Sequence, residues 1–425
     1  MSLYLAVIIV ILLGNYFLTF AAEALNIFSA ASKLPPEFEG FYDAAKYRKA
    51  QEYLRENTFL KIFQATFFTL TAFLFIIYGG FNFVDQLARS FDLEELLTGL
   101  VFAGILFAGL QVLELPFSFY RTFVIEEKYG FNRTSYRTFF FDLLKSWFLA
   151  TLIGAVVLAL TIFFFMKAGP LAWVWCWIGV SAFEIFLLFV APIFIFPLFN
   201  KFIPLGEGQL KQQIQEYAFS QNFKMKGLFT MDGSRRSSKA NAFFVGFGKY
   251  RRIVLYDTLI KQHTTEELVS VLAHEMGHYK KKHILKGIIL TFFTTGLMFF
   301  VLSLFITQKE LFAAFKMQEI SVYAGLCLFA FLYTPINVGI SILSNALSRR
   351  HEYEADRYAV LTYNKPQAFI LALKKLTVNT LSNLTPHPLK VFLSYSHPPI
   401  LLRIKAIRAL ERSLDGGKMS QNTFF

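Results

Sequence analysis

VLAHEMGHYKKKHILKGIILTFFTTGLMFF, residues 271–300, joins two kinds of sequence. Its first half carries His274 and His278 four apart, with Glu275 directly after the first. Its second half, from about residue 287, is an apolar run long enough to enter and cross a bilayer at about 1.5 Å per helical residue. Thr264 and Thr265 ahead of Glu266 and Glu267 are a helix-start signal. One helix is therefore expected to continue through residues 268–283 and to run almost directly into the span. The fold reading starts from that junction, where a polar helix with reactive side chains meets a membrane.

The rest of the chain agrees with a membrane setting. Of 425 residues, 55% are hydrophobic and only 17% charged, where a soluble domain carries about a quarter charged. Fifty-three phenylalanines suit lipid-facing surfaces better than an aqueous core. Seven stretches are long and apolar enough to span: 3–22, 62–84, 97–119, 147–166, 172–197, 287–306 and 320–346. The first lacks a basic leading region and a small-residue cleavage site, so it is read as a mature span rather than a signal peptide. Cys176 and Cys327 both lie in apolar runs. They offer neither a disulfide framework nor a thiolate cluster, so any metal falls to histidines and carboxylates.

Charge sets the orientation. Segment 23–58 holds Lys33, Lys46, Arg48, Lys49 and Arg55, and segment 120–146 holds Arg121, Lys128, Arg133, Arg137 and Lys145. The intervening connections carry Arg89 alone, Lys167 alone, and Lys309 with Lys316. The positive-inside rule then places the N-terminus outside and the C-terminus in the cytosol, with 198–286 and everything after 346 on the cytosolic side. Within 198–286, residues 207–222 read as an amphipathic helix. ANAFFVGFG (240–248) and RIVLYDTLI (252–260) read as a strand pair around Lys249, Tyr250 and Arg251. SRRHEYEADRYAVLTY (348–363) is again helical, and 398–413 is a basic helix. The expected fold is mainly α: seven transmembrane helices with a cytosolic domain of helices and a small strand pair.

Positions four apart share a helix face, so His274 and His278 can direct two imidazoles at one ion. Glu275 lies about 100° around the helix, able to reach a water on that ion rather than the ion itself. Such an ion lowers the pKa of its water toward 7, and the glutamate takes the proton and returns it to a leaving amine. His283 comes five past His278, with no glycine three past it, which excludes the three-histidine arrangement and sends the third ligand elsewhere. HEYEAD (351–356) offers Glu352 and Asp356 on one face and Glu354 nearly opposite. Glu352 is assigned to the metal, and Asp356 to a hydrogen bond with a ligand histidine. An ordinary charged helix face is the alternative reading of this segment. Glu114, Glu184 and Asn337 lie within spans, where a polar group needs an interior cavity or a polar partner.

HEMGH followed by HEYEAD, with NAFFVGF before and YSHPP after, resembles the M48 zinc metallopeptidases. LPFSFYRTFVIEEKYGFNRTS (115–135) narrows the resemblance to the Ste24 branch, the type I CAAX prenyl proteases, over nearly the whole chain. The resemblance implies a membrane zinc endopeptidase with one zinc ion, its seven helices enclosing a water-filled chamber. The metal site would stand at the cytosolic end. It maps His274, His278 and Glu352 onto the zinc ligands and Glu275 onto the general base. Asn241 maps onto an edge strand that lies along the substrate, and His397 and Arg403 onto groups holding the substrate and the developing oxyanion. By its residues alone, His397 reads as a turn histidine beside Pro398 and Pro399, and only the resemblance gives it a role. The family's substrate is a protein ending in a lipidated cysteine and three further residues, which are cut off.

Four regions follow. Residues 1–197 form spans 1–5 with basic cytosolic loops, and 198–286 a catalytic segment with edge strand and HExxH helix. Spans 6 and 7 occupy 287–346, and 347–425 is a C-terminal catalytic segment. The partners expected are a peptide or protein substrate, prenylated or not, and membrane lipids, with no nucleic acid. Short non-cytosolic loops, and a terminal KMSQNTFF without a retrieval signal, fit a bacterial inner membrane as well as an endoplasmic reticulum membrane. The competing class is a polytopic transporter or channel with a structural or regulatory metal site, which needs no water-activating base. A non-catalytic scaffold is disfavoured by the complete ligand set.

Overall fold

Seven helices are long and apolar enough to cross a membrane in the structure, a computed structural model describing residues 2–31, 33–245 and 252–415. α1 (Leu3–Phe28) and α2 (Ala44–Ile77) are followed by the short α3 (Gly80–Arg89). α4 (Glu95–Tyr120) runs on through a π turn at Arg121–Glu126, and α5 (Tyr136–Lys167) leads to α6 (Ala172–Val190). A second π turn, Ala191–Ile195, extends α6 into α7 (Phe196–Phe199). The extramembrane segment then contributes β1 (Phe202–Pro204), α8 (Gln209–Ser220), β2 (Gly227–Met231), β3 (Ala242–Val245), β4 (Arg252–Tyr256), α9 (Asp257–Gln262) and α10 (Thr265–Lys280). α11 (His283–Phe305), α12 (Lys309–Ala314) and α13 (Val322–Tyr363) return through the membrane, and α14 (Pro366–Asn379), α15 (Pro388–Ser394) and α16 (Ile400–Asp415) complete the chain.

Several boundaries differ from expectation, each for a backbone reason. The second span ends at Ile77, short of the expected 84, because the chain turns at Gly79 in the left-handed region (φ 72°) and restarts as α3. Hydropathy registers side chains and is blind to such a turn. The expected single helix through residue 283 stops at Lys280; Lys282 adopts φ 58°, and His283 opens α11 in a new direction. The strand expected over 252–260 ends at Tyr256. There the Asp257 carboxylate accepts from the backbone N–H groups of Ser234 and Thr258 and begins α9. The sheet has four strands, in the order β1-β2-β4-β3, rather than two. β3 and β4 form the expected antiparallel pair, while β4 also pairs in parallel with β2, and β1 antiparallel with β2. The added strands are three and five residues long, too short for a visible alternation. Residues 246–248 of the expected strand, the Lys249–Arg251 turn and the terminal KMSQNTFF lie outside the described residues.

Span 7 and the HEYEAD helix are one rod. α13 has 42 residues, with Pro335 inside it, about 63 Å of helix, so Glu352 is continuous with a transmembrane segment. Two clusters of buried apolar residues separate the two ends of the molecule. One gathers Tyr47, Ile125 and Phe131, from the two basic segments, with Phe117 at the end of α4 and with Ile253, Leu272, Ala359 and Phe369. The other gathers Phe81 and Val84 of α3 with Leu311, Phe312 and Phe315, so it joins two of the three sparsely charged connections, those of Arg89 and Lys309. Between the ends, at most 22% of the most apolar stretch of any span is buried. A helix packed against a solid core covers roughly three residues in seven. Most of the apolar surface of the spans is therefore left facing outward from the protein core, as membrane-embedded helices require.

Candidate metal centre and active site

α10 is fixed at its start by a reciprocal cap: Thr264 Oγ1 accepts from the Glu267 N–H, and the Glu267 carboxylate accepts from the Thr264 N–H. Lys375 on α14 donates to both oxygens of the same carboxylate, at 2.7 and 2.9 Å. Further along, Gly277 lets α10 meet α13 backbone to backbone. A Cβ there would lie 2.9 Å from the Ala355 Cα and 3.0 Å from its carbonyl oxygen. This seam brings the two halves of the ligand set face to face.

Across the seam, His274 Nε2 and His278 Nε2 are 3.2 Å apart, His278 Nε2 is 3.2 Å from Glu352 Oε1, and His274 Nε2 is 3.5 Å from Glu352 Oε2. Donors on a tetrahedral ion with bonds of about 2.0–2.1 Å stand about 3.3 Å from one another. The observed spacings fit a single zinc-sized ion held by these three residues, which leaves one position open. The buried Glu352 Oε2 has no hydrogen-bond donor among the described residues, although Arg403 stands beside it, which leaves a lone pair for a metal ion. Asp356 Oδ1 lies 2.8 Å from His274 Nδ1. The carboxylate holds the proton on Nδ1 and leaves the Nε2 lone pair facing the ion.

Glu275 is partly accessible and has no hydrogen bond or ion pair among the described residues. Burial raises its carboxyl above the ordinary value, while His274, His278 and Arg403 pull it down. His397 is exposed, with Nε2 3.3 Å from Glu352 Oε1. Arg403 meets the same ligand set. It is buried, its Nε and Nη2 grip Asp356 Oδ2 and Oδ1 at 2.8 and 2.5 Å, and Nη1 is 3.2 Å from Glu352 Oε2. Burial opposes its charge, but Asp356 and Glu352 outweigh that and hold it cationic. The guanidinium thus pairs with the carboxylate that holds His274 and lies against the ligand Glu352. Asn241 is exposed next to β3, its Oδ1 accepting from the Ala242 N–H. β3 is the sheet's edge and contacts α10.

Of the polar residues within spans, Glu114 accepts from Gln64 Nε2 at 2.6 and 2.8 Å. Glu184 receives the Thr295 hydroxyl at 3.5 Å, beside a cavity of about 360 Å³ between α6 and α11. Asn337 is exposed on α13. Sequence reasoning set aside His283 and Glu354 and gave His351 no role, yet all three adjoin the site. His283 Nδ1 lies 3.0 Å from His278 Nδ1, and its ring stacks on His351 at 3.9 Å. Spacing along one helix carried no signal for them, because a turn separates His283 from α10.

Comparison with known proteins covers both halves of the chain. A family model described as CAAX prenyl protease N-terminal, five membrane helices, matches residues 24–201, and the Peptidase family M48 model matches 204–411. The CAAX prenyl protease 1 homolog of Arabidopsis thaliana is 35% identical over 90% of this chain and 92% of its own length. CAAX prenyl protease 1 of Saccharomyces cerevisiae is 33% identical over 88% of each. The crystal structure of S. mikatae Ste24p superposes with a TM-score of 0.91 at 29% identity, covering 96% of this chain and 99% of that one. These relatives are eukaryotic and lend no support to a bacterial source.

Proposed function

The chain belongs to the CAAX prenyl protease 1 family of M48 zinc metallopeptidases, and from that membership we propose that it removes the last three residues of C-terminally prenylated proteins at the site described above. The observation that carries this reading is the convergence of His274, His278 and Glu352, with ligand atoms within 4.8 Å of one another, beside an uncommitted Glu275. Family and relatives together leave the transporter reading without support.

Zinc bound there acidifies a water and polarises the scissile carbonyl. An extended substrate pairs its backbone with the free edge of β3 near Asn241, which aligns the peptide beside α10. Glu275 takes a proton as the water oxygen bonds to the carbonyl carbon. When the carbon–nitrogen bond breaks, it passes that proton to the leaving amine. His397 donates to the oxygen on which negative charge develops. Asp356, clamped by Arg403, holds His274 in its ligating tautomer. The basic ends of the spans put this site on the cytosolic side, against anionic lipid headgroups. Of the two membranes considered, the eukaryotic relatives favour that of the endoplasmic reticulum.

The test is incubation of purified protein with a farnesylated CAAX peptide, with and without phenanthroline. Release of the terminal tripeptide that the chelator abolishes is the expected result. A zinc-loaded protein inert on this peptide and on its unprenylated counterpart overturns the reading.

A further inference from the structure

We propose that His283 and Glu354 form a relay that orients the His278 imidazole toward the metal, His283 being a positioning residue that touches neither metal nor substrate. This rests on the zinc-site reading above. The left-handed turn at Lys282 (φ 58°) swings the first residue of α11 back over the end of α10. His283 is buried there, with Nδ1 3.0 Å from His278 Nδ1 and Nε2 3.0 Å from Glu354 Oε2. Its ring lies face to face with His351, at 3.9 Å and 11° between planes. Glu354 in turn is 3.3 Å from Arg350 Nε and 3.7 Å from Lys286 Nζ, cations that favour its charged, acceptor-only form.

One proton arrangement satisfies all these contacts. A neutral imidazole that ligates through Nε2 carries its proton on Nδ1. His278 Nδ1–H must then donate, so His283 Nδ1 must accept, which leaves the His283 proton on Nε2. That N–H meets the Glu354 carboxylate. The carboxylate therefore sets the tautomer of His283, and His283 sets that of His278. The two ligand histidines are braced differently: His274 directly by Asp356, His278 by a carboxylate acting through an intervening ring. The second brace belongs to α11 and α13, so the aim of His278 depends on how the two spans meet at the Lys282 turn. A merely structural His283 would serve by ring volume and stacking alone.

Zinc affinity separates these roles. His283→Phe keeps the ring and the stack but has no nitrogen, whereas His283→Asn places an amide oxygen where Nδ1 stood. Competition with a chromogenic chelator is expected to show zinc held 10–100-fold more weakly in His283→Phe, the usual cost of losing such a support. His283→Asn recovers most of the loss. The visible spectrum of the cobalt-substituted protein shifts in His283→Phe and not in His283→Asn. Glu354→Leu weakens zinc in the same direction, and the double variant His283→Phe/Glu354→Leu is no weaker than His283→Phe, because the two act as one unit. Wild-type affinity in His283→Phe, equal weakening in Phe and Asn variants, or additive losses in the double variant overturns the relay. If His283→Phe does not fold, Glu354→Leu carries the test, and unchanged affinity there overturns it. A wild-type protein that holds zinc no better than His278→Ala sinks the metal-site reading itself, and the relay with it.

Discussion

Glu275 stands apart from Glu352, Glu354 and Asp356, each of which has a cationic or imidazole partner within 3.5 Å. An acid kept free beside a metal-binding histidine suits proton transfer. Glu275→Gln is expected to lower kcat for peptide hydrolysis by about 10²–10⁴-fold while zinc content stays at one per chain; a variant that keeps its activity removes the general base. Arg403 has the opposite character, since it is buried and paired with both Asp356 and Glu352. Replacing it with Met leaves Asp356 charged and buried without its clamp. The loss is about 3–5 kcal/mol of stability, read as a lower unfolding midpoint in detergent, with zinc affinity falling as His274 loses its orientation. An unchanged midpoint would return Arg403 to the open side of the site. HEMGH and HEYEAD made the ligands legible because both sets lie on single helices, where spacing is geometry. The pairing of Arg403 with Asp356 was not legible, because the partners of a guanidinium depend on which helix packs against it.

At the scale of elements, the seam between α10 and α13 decides whether two half-sites become one. Gly277→Val drives methyl groups into the Ala355 backbone, which no rotamer change relieves. The helices must separate, so zinc content and activity are both lost while helical content by circular dichroism survives; a Gly277→Val protein with full zinc and turnover would show the seam to be slack. The cap of α10 is independent of that seam. Thr264→Ala removes the hydroxyl that accepts from Glu267 N–H and costs about 1 kcal/mol, measurable as a lower unfolding midpoint with little change in kcat. The cap was readable from Thr264 and Glu267 in the sequence. The close approach at Gly277 was not, since a glycine inside a helix reads only as weak propensity until its neighbour is known.

For the whole molecule, the arrangement of loops is the central fact. The basic segments and the sheet share one apolar cluster, and the sparsely charged connections of Arg89 and Lys309 share another at the far end of the spans. A cysteine at exposed Glu94, on the sparsely charged side, is expected to react with a membrane-impermeant maleimide from the non-cytosolic face of sealed vesicles. A cysteine at exposed Gln215 reacts from the cytosolic face, and labelling of both from one side contradicts the topology. The native Cys176 and Cys327 lie in spans and contribute little background.

The sequence by itself determined the number of spans, their charge asymmetry and the three residues suited to a zinc ion, because hydropathy and helical spacing are local properties. Only the tertiary structure decided that α13 is one unbroken rod, that the sheet has four strands, and that His283 returns to the site around the turn at Lys282. Those features come from contacts between segments distant along the chain and from single backbone angles at Gly79 and Lys282. A linear pattern carries neither kind of information.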